Sequence, residues 1–132
     1  MSKHILVIDD REHLLTLLRM VLEDESYKVS VLKEGKGAVE IIREQAPDLI
    51  ILDLILADAN GLDILESLRA QTSTADIPVI VYTAAVMEAE NVEHLVAGNP
   101  TRYRNVIVLQ KPFDLDILLD RVQQTLGAAE AS

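Results

Sequence analysis

The stretch LIILD, residues 49–53, is a short apolar segment that ends in a carboxylate. A strand that is apolar on both faces is typical of a parallel sheet covered by helices on each side. Similar segments, rich in β-branched residues, recur at 4–8, 27–32, 77–82 and 105–110. Five such strands that alternate with helices predict an α/β fold with a doubly wound, five-stranded parallel sheet, (βα)5.

The segments between the strands have the spacing of amphipathic helices. Apolar residues share one face in the first and the last of them, at Leu14, Leu15, Leu18, Val21 and Leu22 and at Leu115, Leu118, Leu119, Val122 and Leu126. The three middle helices are expected at about 35–46, 62–72 and 86–97.

Composition limits the function classes. The chain has 132 residues, a net charge of -10 and no cysteine. We expect one domain at 1–127, a short frayed tail at 128–132 and no effector domain. The negative charge disfavours direct binding to nucleic acid or anionic membranes, and no apolar run approaches the roughly 20 residues that cross a bilayer. Strand character begins by Ile5, which leaves no room for a signal peptide, so a cytoplasmic location is expected.

Chemically active side chains follow four of the predicted strands. Asp9 and Asp10 follow the first strand, Asp53 ends the third, Thr83 follows the fourth and Lys111 follows the fifth. In an open parallel sheet the carboxyl ends of the strands lie along one edge, where ligands bind. These residues, far apart in the chain, are therefore predicted to meet in one cleft.

Three carboxylates in one cleft repel one another, so at least one should hold a proton unless a cation is present. Hard oxygen ligands without cysteine favour magnesium or manganese over zinc. A lysine ammonium and a threonine hydroxyl beside them suit the oxygens of a phosphoryl group. Because a carboxylate can act as a nucleophile, Asp53 is the candidate acceptor, and Asp9 with Asp10 is the candidate metal-binding pair.

Several segments stand in a familiar order and spacing. They are VIDD at 7–10, PDLIILDL at 47–54, NG at 60–61, IPVIVYTA at 77–84 and KPF at 111–113. Together they resemble the receiver domain of two-component response regulators, of the single-domain chemotaxis type, from Ile5 to about Leu126. The resemblance implies a flavodoxin-like receiver fold.

The resemblance also implies a role for each site residue. Asp53 would accept the phosphoryl group in the presence of Mg2+ or Mn2+. The metal ligands would be Asp10 directly, Asp9 through water, Asp53 and the backbone carbonyl of Ile55. The phosphoryl oxygens would be bound by Thr83, Lys111 and the backbone N–H of Ala84.

Each residue also has an ordinary structural interpretation. The pair Asp9-Asp10 could cap the first helix and Thr83 the fourth. Asp53 could be a turn residue, and Lys111 could be a solvated surface charge. All of these explanations would have to coincide at one edge of the sheet, so we favour a single site.

Three features depart from the family pattern. Ala57 stands where a proline is usual, so the loop 54–60 is expected to be less rigid. Val108 stands where an aromatic ring usually couples the threonine to the output surface. A longer segment near 99–105 is either a tolerated surface loop or a distinct partner surface, with Tyr103 as a hypothetical substitute for the missing ring.

The expected function is a phosphorylation-controlled switch that catalyses only its own phosphorylation and dephosphorylation. A histidine kinase or phosphotransfer protein would donate the phosphoryl group, and a protein partner would bind the face formed by the fourth helix, fifth strand and fifth helix. Two alternatives remain. One is a receiver-like interaction module that needs no phosphate, and the other is a Mg2+-dependent phosphohydrolase, which usually has a second acid where Ile55 stands.

Overall fold

The computed structural model describes residues 2–110 and 114–131, and their side chains as far as Leu126. Over these residues five strands alternate with five helices, as the sequence predicts. The strands are β1 (His4–Ile8), β2 (Lys28–Leu32), β3 (Leu49–Asp53), β4 (Val79–Thr83) and β5 (Val106–Gln110). The helices are α1 (Glu12–Asp24), α2 (Ala38–Gln45), α3 (Gly61–Ala70), α4 (Val86–Gly98) and α5 (Leu115–Ala131).

The strands form one parallel sheet in the order β2-β1-β3-β4-β5. From β1 the chain first adds β2 at one edge of the sheet. It then returns to the other side of β1 and adds β3, β4 and β5 in turn. The reversal therefore lies between β1 and β3, and ligands of such sheets bind outside the carboxyl ends of the strands at that point. Asp53 is the last residue of β3, the central strand, and is in register with Tyr82 of β4. The predicted sheet is confirmed.

Two apolar layers cover the sheet. One layer contains α1 and α5, and the other contains α2, α3 and α4. Fully buried helix residues include Leu18, Leu22, Ile42, Leu65, Leu68, Val92 and Val122. Every residue of β3 is buried, whereas 106–109 of β5 are half-buried because β5 is an edge strand.

Side-chain caps begin two of the helices, α3 and α5. The side chain of Asn60 accepts a hydrogen bond from the N–H of Leu62 (2.9 Å) and caps α3. Asp114 caps α5 in the same way, through the N–H of Asp116 (3.0 Å). The second helix begins later than expected, at Ala38, because the chain first turns through Gly37 with a φ of 79°.

The last helix is longer than the sequence suggested. We expected residues 128–132 to form a frayed tail after Gly127, but α5 continues to Ala131. Alanine and glutamate are strong helix formers and carry the helix past the glycine. Neither α5 nor any other helix in the described parts of the chain is long and apolar enough to cross a membrane.

Gly61 lets α3 begin directly against the strand that carries Asp53. Its N–H donates to the carbonyl of Leu54 (2.9 Å). A Cβ at this position would lie 2.5 Å from the carbonyl oxygen of Asp53 and 2.6 Å from Cα of Leu54. Because both neighbours are backbone atoms, a side chain here would have to displace the end of β3.

We predict that Gly61→Ala lowers the free energy of unfolding by about 1–3 kcal/mol, the usual cost of overpacking a closed contact. Denaturant unfolding followed by circular dichroism measures the change. The matched control is Gly98→Ala, at the end of α4, where nothing lies within 4 Å of the added Cβ. This control should be neutral or stabilising by up to about 1 kcal/mol, because alanine favours helix. Equal effects of the two substitutions would contradict the close approach.

Candidate functional site

Three carboxylates converge at the carboxyl edge of the sheet. Asp9 and Asp10 follow β1, and Asp53 ends β3. One carboxylate oxygen from each lies within 4.8 Å of the others. Asp9 is fully buried and Asp53 is 4% exposed, while Asp10 is partly exposed. The structure therefore brings together the three acids that the sequence placed at strand ends.

Asp9 is held by donors from two elements. The backbone N–H of Arg11 donates to its Oδ1 (2.8 Å), and the Arg11 guanidinium pairs with its Oδ2 (3.1 Å). The hydroxyl of Tyr82, on β4, also donates to this carboxylate. Burial, together with that hydrogen bond, raises the pKa of Tyr82, so the phenol keeps its proton and remains a donor. This network supplies the hydrogen bonds that a buried carboxyl group needs.

Asp53 lies in a different electrostatic environment. Its Oδ1 accepts a hydrogen bond from the N–H of Ile55 (3.1 Å), and its Oδ2 lies 3.6 Å from the guanidinium of Arg11. Burial raises the pKa of Asp53 from 3.8 to about 6, and the charges of Asp9 and Asp10 act in the same direction. The hydrogen bond from Ile55 and the charge of Arg11 oppose the rise without cancelling it.

Sequence reasoning missed two members of this network, Arg11 and Tyr82. Arg11 is the residue after the acid pair, and its guanidinium contacts both Asp9 and Asp53. Tyr82 is in register with Asp53, which places the two side chains on the same face of the sheet. The available signal was a phenol hydroxyl at the end of an otherwise apolar strand, since a buried hydroxyl needs a partner.

A cavity of about 520 Å3 opens at this edge. Its lining includes Asp10, Arg11, Asp53, Ile55, Thr83 and Ala84. Thr83 is buried, and its hydroxyl oxygen accepts a hydrogen bond from the N–H of Ala85 (3.1 Å), just before α4. Thr83 therefore accepts a hydrogen bond at the start of α4, as the structural interpretation expected, and it also borders the cavity.

Lys111 lies outside the described residues. Gln110, which precedes it, is in register with Thr83.

Ala57 ties the loop after β3 to the acid pair. Its N–H donates to the carboxylate of Asp10 (2.7 Å). A proline at this position would have no N–H to donate. An isolated bridge between Ile55 and Asn60 closes the same loop. These two contacts restrain the loop 54–60, which was expected to be less rigid than a loop with proline.

The position of Tyr103 does not favour the hypothesis that it replaces the missing aromatic ring. Tyr103 is buried, two residues before Asn105, whose carbonyl accepts the N–H of Val79 at the start of β4 (3.0 Å). Thr83 ends the same strand four residues later, about 13 Å away at the rise of a strand. Tyr103 therefore packs near the opposite edge of the sheet, and it shares its apolar cluster with Val108.

The chain can now be compared with known proteins. A family model described as response regulator receiver domain matches residues 5–123. The chain belongs to this family. Receiver domains are signalling switches of two-component systems and are phosphorylated on an aspartate.

Two curated relatives are similar over nearly the whole chain. The phosphate regulon transcriptional regulatory protein PhoB of Rhizobium meliloti is 34% identical over 98% of this chain and 55% of its own length. The DNA-binding response regulator MtrA of Mycolicibacterium smegmatis is 33% identical over 98% of this chain and 53% of its own length. The chain thus spans about half the length of these relatives.

Solved structures confirm the predicted fold. The receiver domain of the Francisella response regulator 1452 superimposes with a TM-score of 0.81 at 26% identity, over 97% of this chain and 99% of that one. The chemotaxis protein CheY4 of Vibrio cholerae gives a TM-score of 0.79 at 21% identity, over 95% of this chain and 99% of that one. The likeness to CheY4 is one of fold alone.

The raised pKa of Asp53 predicts how Asp53→Asn changes stability with pH. Because the folded state binds the proton more tightly than the unfolded state, the wild type loses stability as pH rises from 3.8 to about 6. Asparagine carries no charge, so the variant escapes this loss. Above pH 6 and without divalent cations, Asp53→Asn should become the more stable protein, by up to about 3 kcal/mol.

The measurement is urea unfolding of both proteins across that pH window, with a chelator present. The advantage of Asp53→Asn should shrink towards zero below pH 3.8. Asp24→Asn, an exposed substitution at the end of α1, serves as the control and should show no such pH dependence. A constant difference between Asp53→Asn and the wild type would contradict the raised pKa.

Proposed function

We propose that this receiver domain accepts a phosphoryl group on Asp53, from a phosphohistidine of a histidine kinase or phosphotransfer protein. The observation that carries the proposal is the position of Asp53. It is buried at the carboxyl end of the central strand, its side chain borders a cavity of about 520 Å3, and two further acids lie beside it. The domain would act as a switch that catalyses only its own phosphorylation and dephosphorylation.

The three acids fit a magnesium ion. They provide hard oxygen ligands, and Arg11 supplies one positive charge against three carboxylates. We assign Asp10 and Asp53 as direct ligands, Asp9 as a ligand through water and the carbonyl of Ile55 as a further ligand; Mn2+ has similar preferences. When bound, the cation would neutralise charge on the phosphoryl oxygens.

The transfer itself needs a nucleophile and donors to the phosphoryl oxygens. A carboxylate oxygen of Asp53 attacks phosphorus, a P–O bond forms and the P–N bond to the donor histidine breaks. The imidazole nitrogen keeps the electron pair of the broken bond and takes up a proton. The charged form of Asp53 is the nucleophile, and a cation held by the three acids would favour that form by lowering the pKa of the carboxyl group.

Donors at the ends of β4 and β5 would bind the transferred group. The hydroxyl oxygen of Thr83 accepts the N–H of Ala85, which leaves the hydroxyl proton to be donated to a phosphoryl oxygen. Ala84 borders the same cavity, and we assign its backbone N–H as a second donor. We assign the remaining positive charge to Lys111, on the resemblance to the family.

We further propose that output passes to a protein partner through the face formed by α4, β5 and α5. The two helices that border this face carry large exposed apolar side chains: Val86 (51%) and Met87 (72%) on α4, and Ile117 (47%) on α5. Exposed apolar side chains of this kind suit a protein surface that is buried on binding. The usual aromatic ring is replaced by Val108, so we propose that the shift uses a different two-state element, the packing of α4 against β5.

We predict one Mg2+-dependent phosphate adduct after incubation with acetyl phosphate, detected by intact-protein mass spectrometry. The adduct should be absent with a chelator and absent in Asp53→Asn, because both remove part of the proposed chemistry. Asp63→Asn, an exposed acid of α3, is the matched control and should be modified like the wild type. An adduct that persists in Asp53→Asn would place the acceptor elsewhere.

We also predict that phosphorylation changes the amide chemical shifts of α4, β5 and α5 in solution. The reason is that a population shift at the output face alters the packing of these elements, and not only the site. Two-dimensional NMR of the phosphorylated and unmodified chain measures the changes. Shifts confined to residues that border the cavity would favour an interaction module that needs no phosphate.

A further inference from the structure

A second cavity lies at the edge of the sheet opposite the carboxylates. It has a volume of about 500 Å3, is open to solvent and is bordered by the end of α3, the segment before β4 and the segment between α4 and β5. We call it the arginine pocket. Its lining includes Arg69, Asn99, Pro100, Thr101, Arg102 and Arg104. Three of the seven arginines of a chain with a net charge of -10 therefore border one cavity.

Arg69 is a buried cation beneath this pocket. It is only 5% exposed, and its guanidinium donates to the carbonyls of Thr74 (3.4 Å), Ile77 (2.8 Å) and Arg104 (3.2 Å). Its Nε is buried and has no hydrogen-bond partner among the described residues. Burial lowers the pKa of Arg69, and the charge of Asp76 opposes that effect without cancelling it.

The acid nearest to this cation is already engaged. Asp76 forms an ion pair with Arg104, at the exposed side of the pocket. Carbonyl dipoles hold the Arg69 guanidinium in place, and the charge of Asp76, which is shared with Arg104, offsets only part of the effect of burial. A buried charge with incomplete compensation is costly, so the pocket favours the entry of an anion.

The remaining arginines are carried by a segment with a fixed shape. The buried ring of Tyr103 packs into the apolar cluster under α4, and its N–H donates to the carbonyl of Asn99 (3.0 Å). The guanidinium of Arg102 lies 5.7 Å from the centre of that ring, and Arg104 donates to the carbonyl of Thr101 (3.2 Å). The longer segment at 99–105 thus presents two exposed guanidinium groups on an anchored backbone.

We propose that the arginine pocket binds an organic phosphate of nucleotide size through its phosphate groups. Guanidinium groups match phosphate oxygens in charge and geometry. The volume of about 500 Å3 falls in the range of small-molecule sites and leaves room for an organic part beyond the phosphate. Asn99 and Thr101 add polar groups, and Pro100 adds an apolar wall. This site does not depend on phosphorylation of Asp53.

The test uses the isotope-labelled full chain in Mg2+-free buffer, titrated with adenosine diphosphate and, separately, with inorganic phosphate. Ionic strength is held constant with chloride, because non-specific charge effects are screened by salt. Amide shifts locate the binding site and give the dissociation constants. We expect adenosine diphosphate to move the amides of 98–105 with saturation, and to bind at least about tenfold more tightly than inorganic phosphate.

A pair of double variants separates the pocket from overall charge. Arg102→Gln with Arg104→Gln removes both exposed guanidinium groups, and we expect affinity for adenosine diphosphate to fall at least about tenfold. Arg19→Gln with Arg121→Gln removes two surface arginines on α1 and α5, with the same change in net charge, and should leave affinity unchanged. Unperturbed spectra elsewhere show that each variant is folded.

Three results would overturn the proposal. They are equal losses in the two double variants, saturable shifts only at the Asp53 edge, and no saturable shift with either probe. The last result would instead favour an acidic protein segment as the occupant. Equal affinities for inorganic phosphate and adenosine diphosphate would show that the pocket recognises phosphate alone, which contradicts the proposed role of the organic part.

Discussion

Three carboxylates that share one small volume are the constraint on which the rest of this structure depends. Their oxygens lie within 4.8 Å of one another, in surroundings that bury two of the three residues. Like charges at this distance raise the free energy of the folded state unless donors or cations compensate. The positions of Arg11, Tyr82 and several backbone N–H groups follow from that need.

The three carboxylates do not receive the same hydrogen bonds and positive charge. This difference distinguishes the roles of the three acids. Asp9 accepts hydrogen bonds from Arg11 and Tyr82, and Asp10 accepts one from the N–H of Ala57. Asp53 accepts the N–H of Ile55 and faces Arg11 at the longer distance of 3.6 Å, and its pKa is raised to about 6. The two residues of the acid pair are thus held in place, while the central carboxylate remains the one whose charge a ligand can change.

Topology could be predicted from the sequence because it rests on patterns that act over whole segments. The run at 49–53 has no polar residue before its terminal acid, which requires cover on both faces and therefore a parallel sheet between helices. The convergence of Asp9, Asp10 and Asp53 followed from the rule that parallel strands end at one edge.

Side-chain partnerships could not be predicted in the same way. Arg11 might have pointed to solvent, and only the packed structure shows its guanidinium between two acids. The bond from Ala57 to Asp10 depends on a backbone N–H, which every residue except proline carries. The burial of Tyr103 could not be predicted, because the loop 99–105 has no periodicity to orient its ring.

The convergence of the acids into a cation site is tested most directly by a crystal structure with Mn2+ and beryllium fluoride, using the anomalous signal of manganese. We predict one anomalous peak at about 2 Å from carboxylate oxygens of Asp10 and Asp53, with the fluoride complex on Asp53. The guanidinium of Arg11 should then lie farther from Asp53 than its present 3.6 Å. A peak elsewhere, or no peak while Arg11 still pairs with Asp53, would contradict the account.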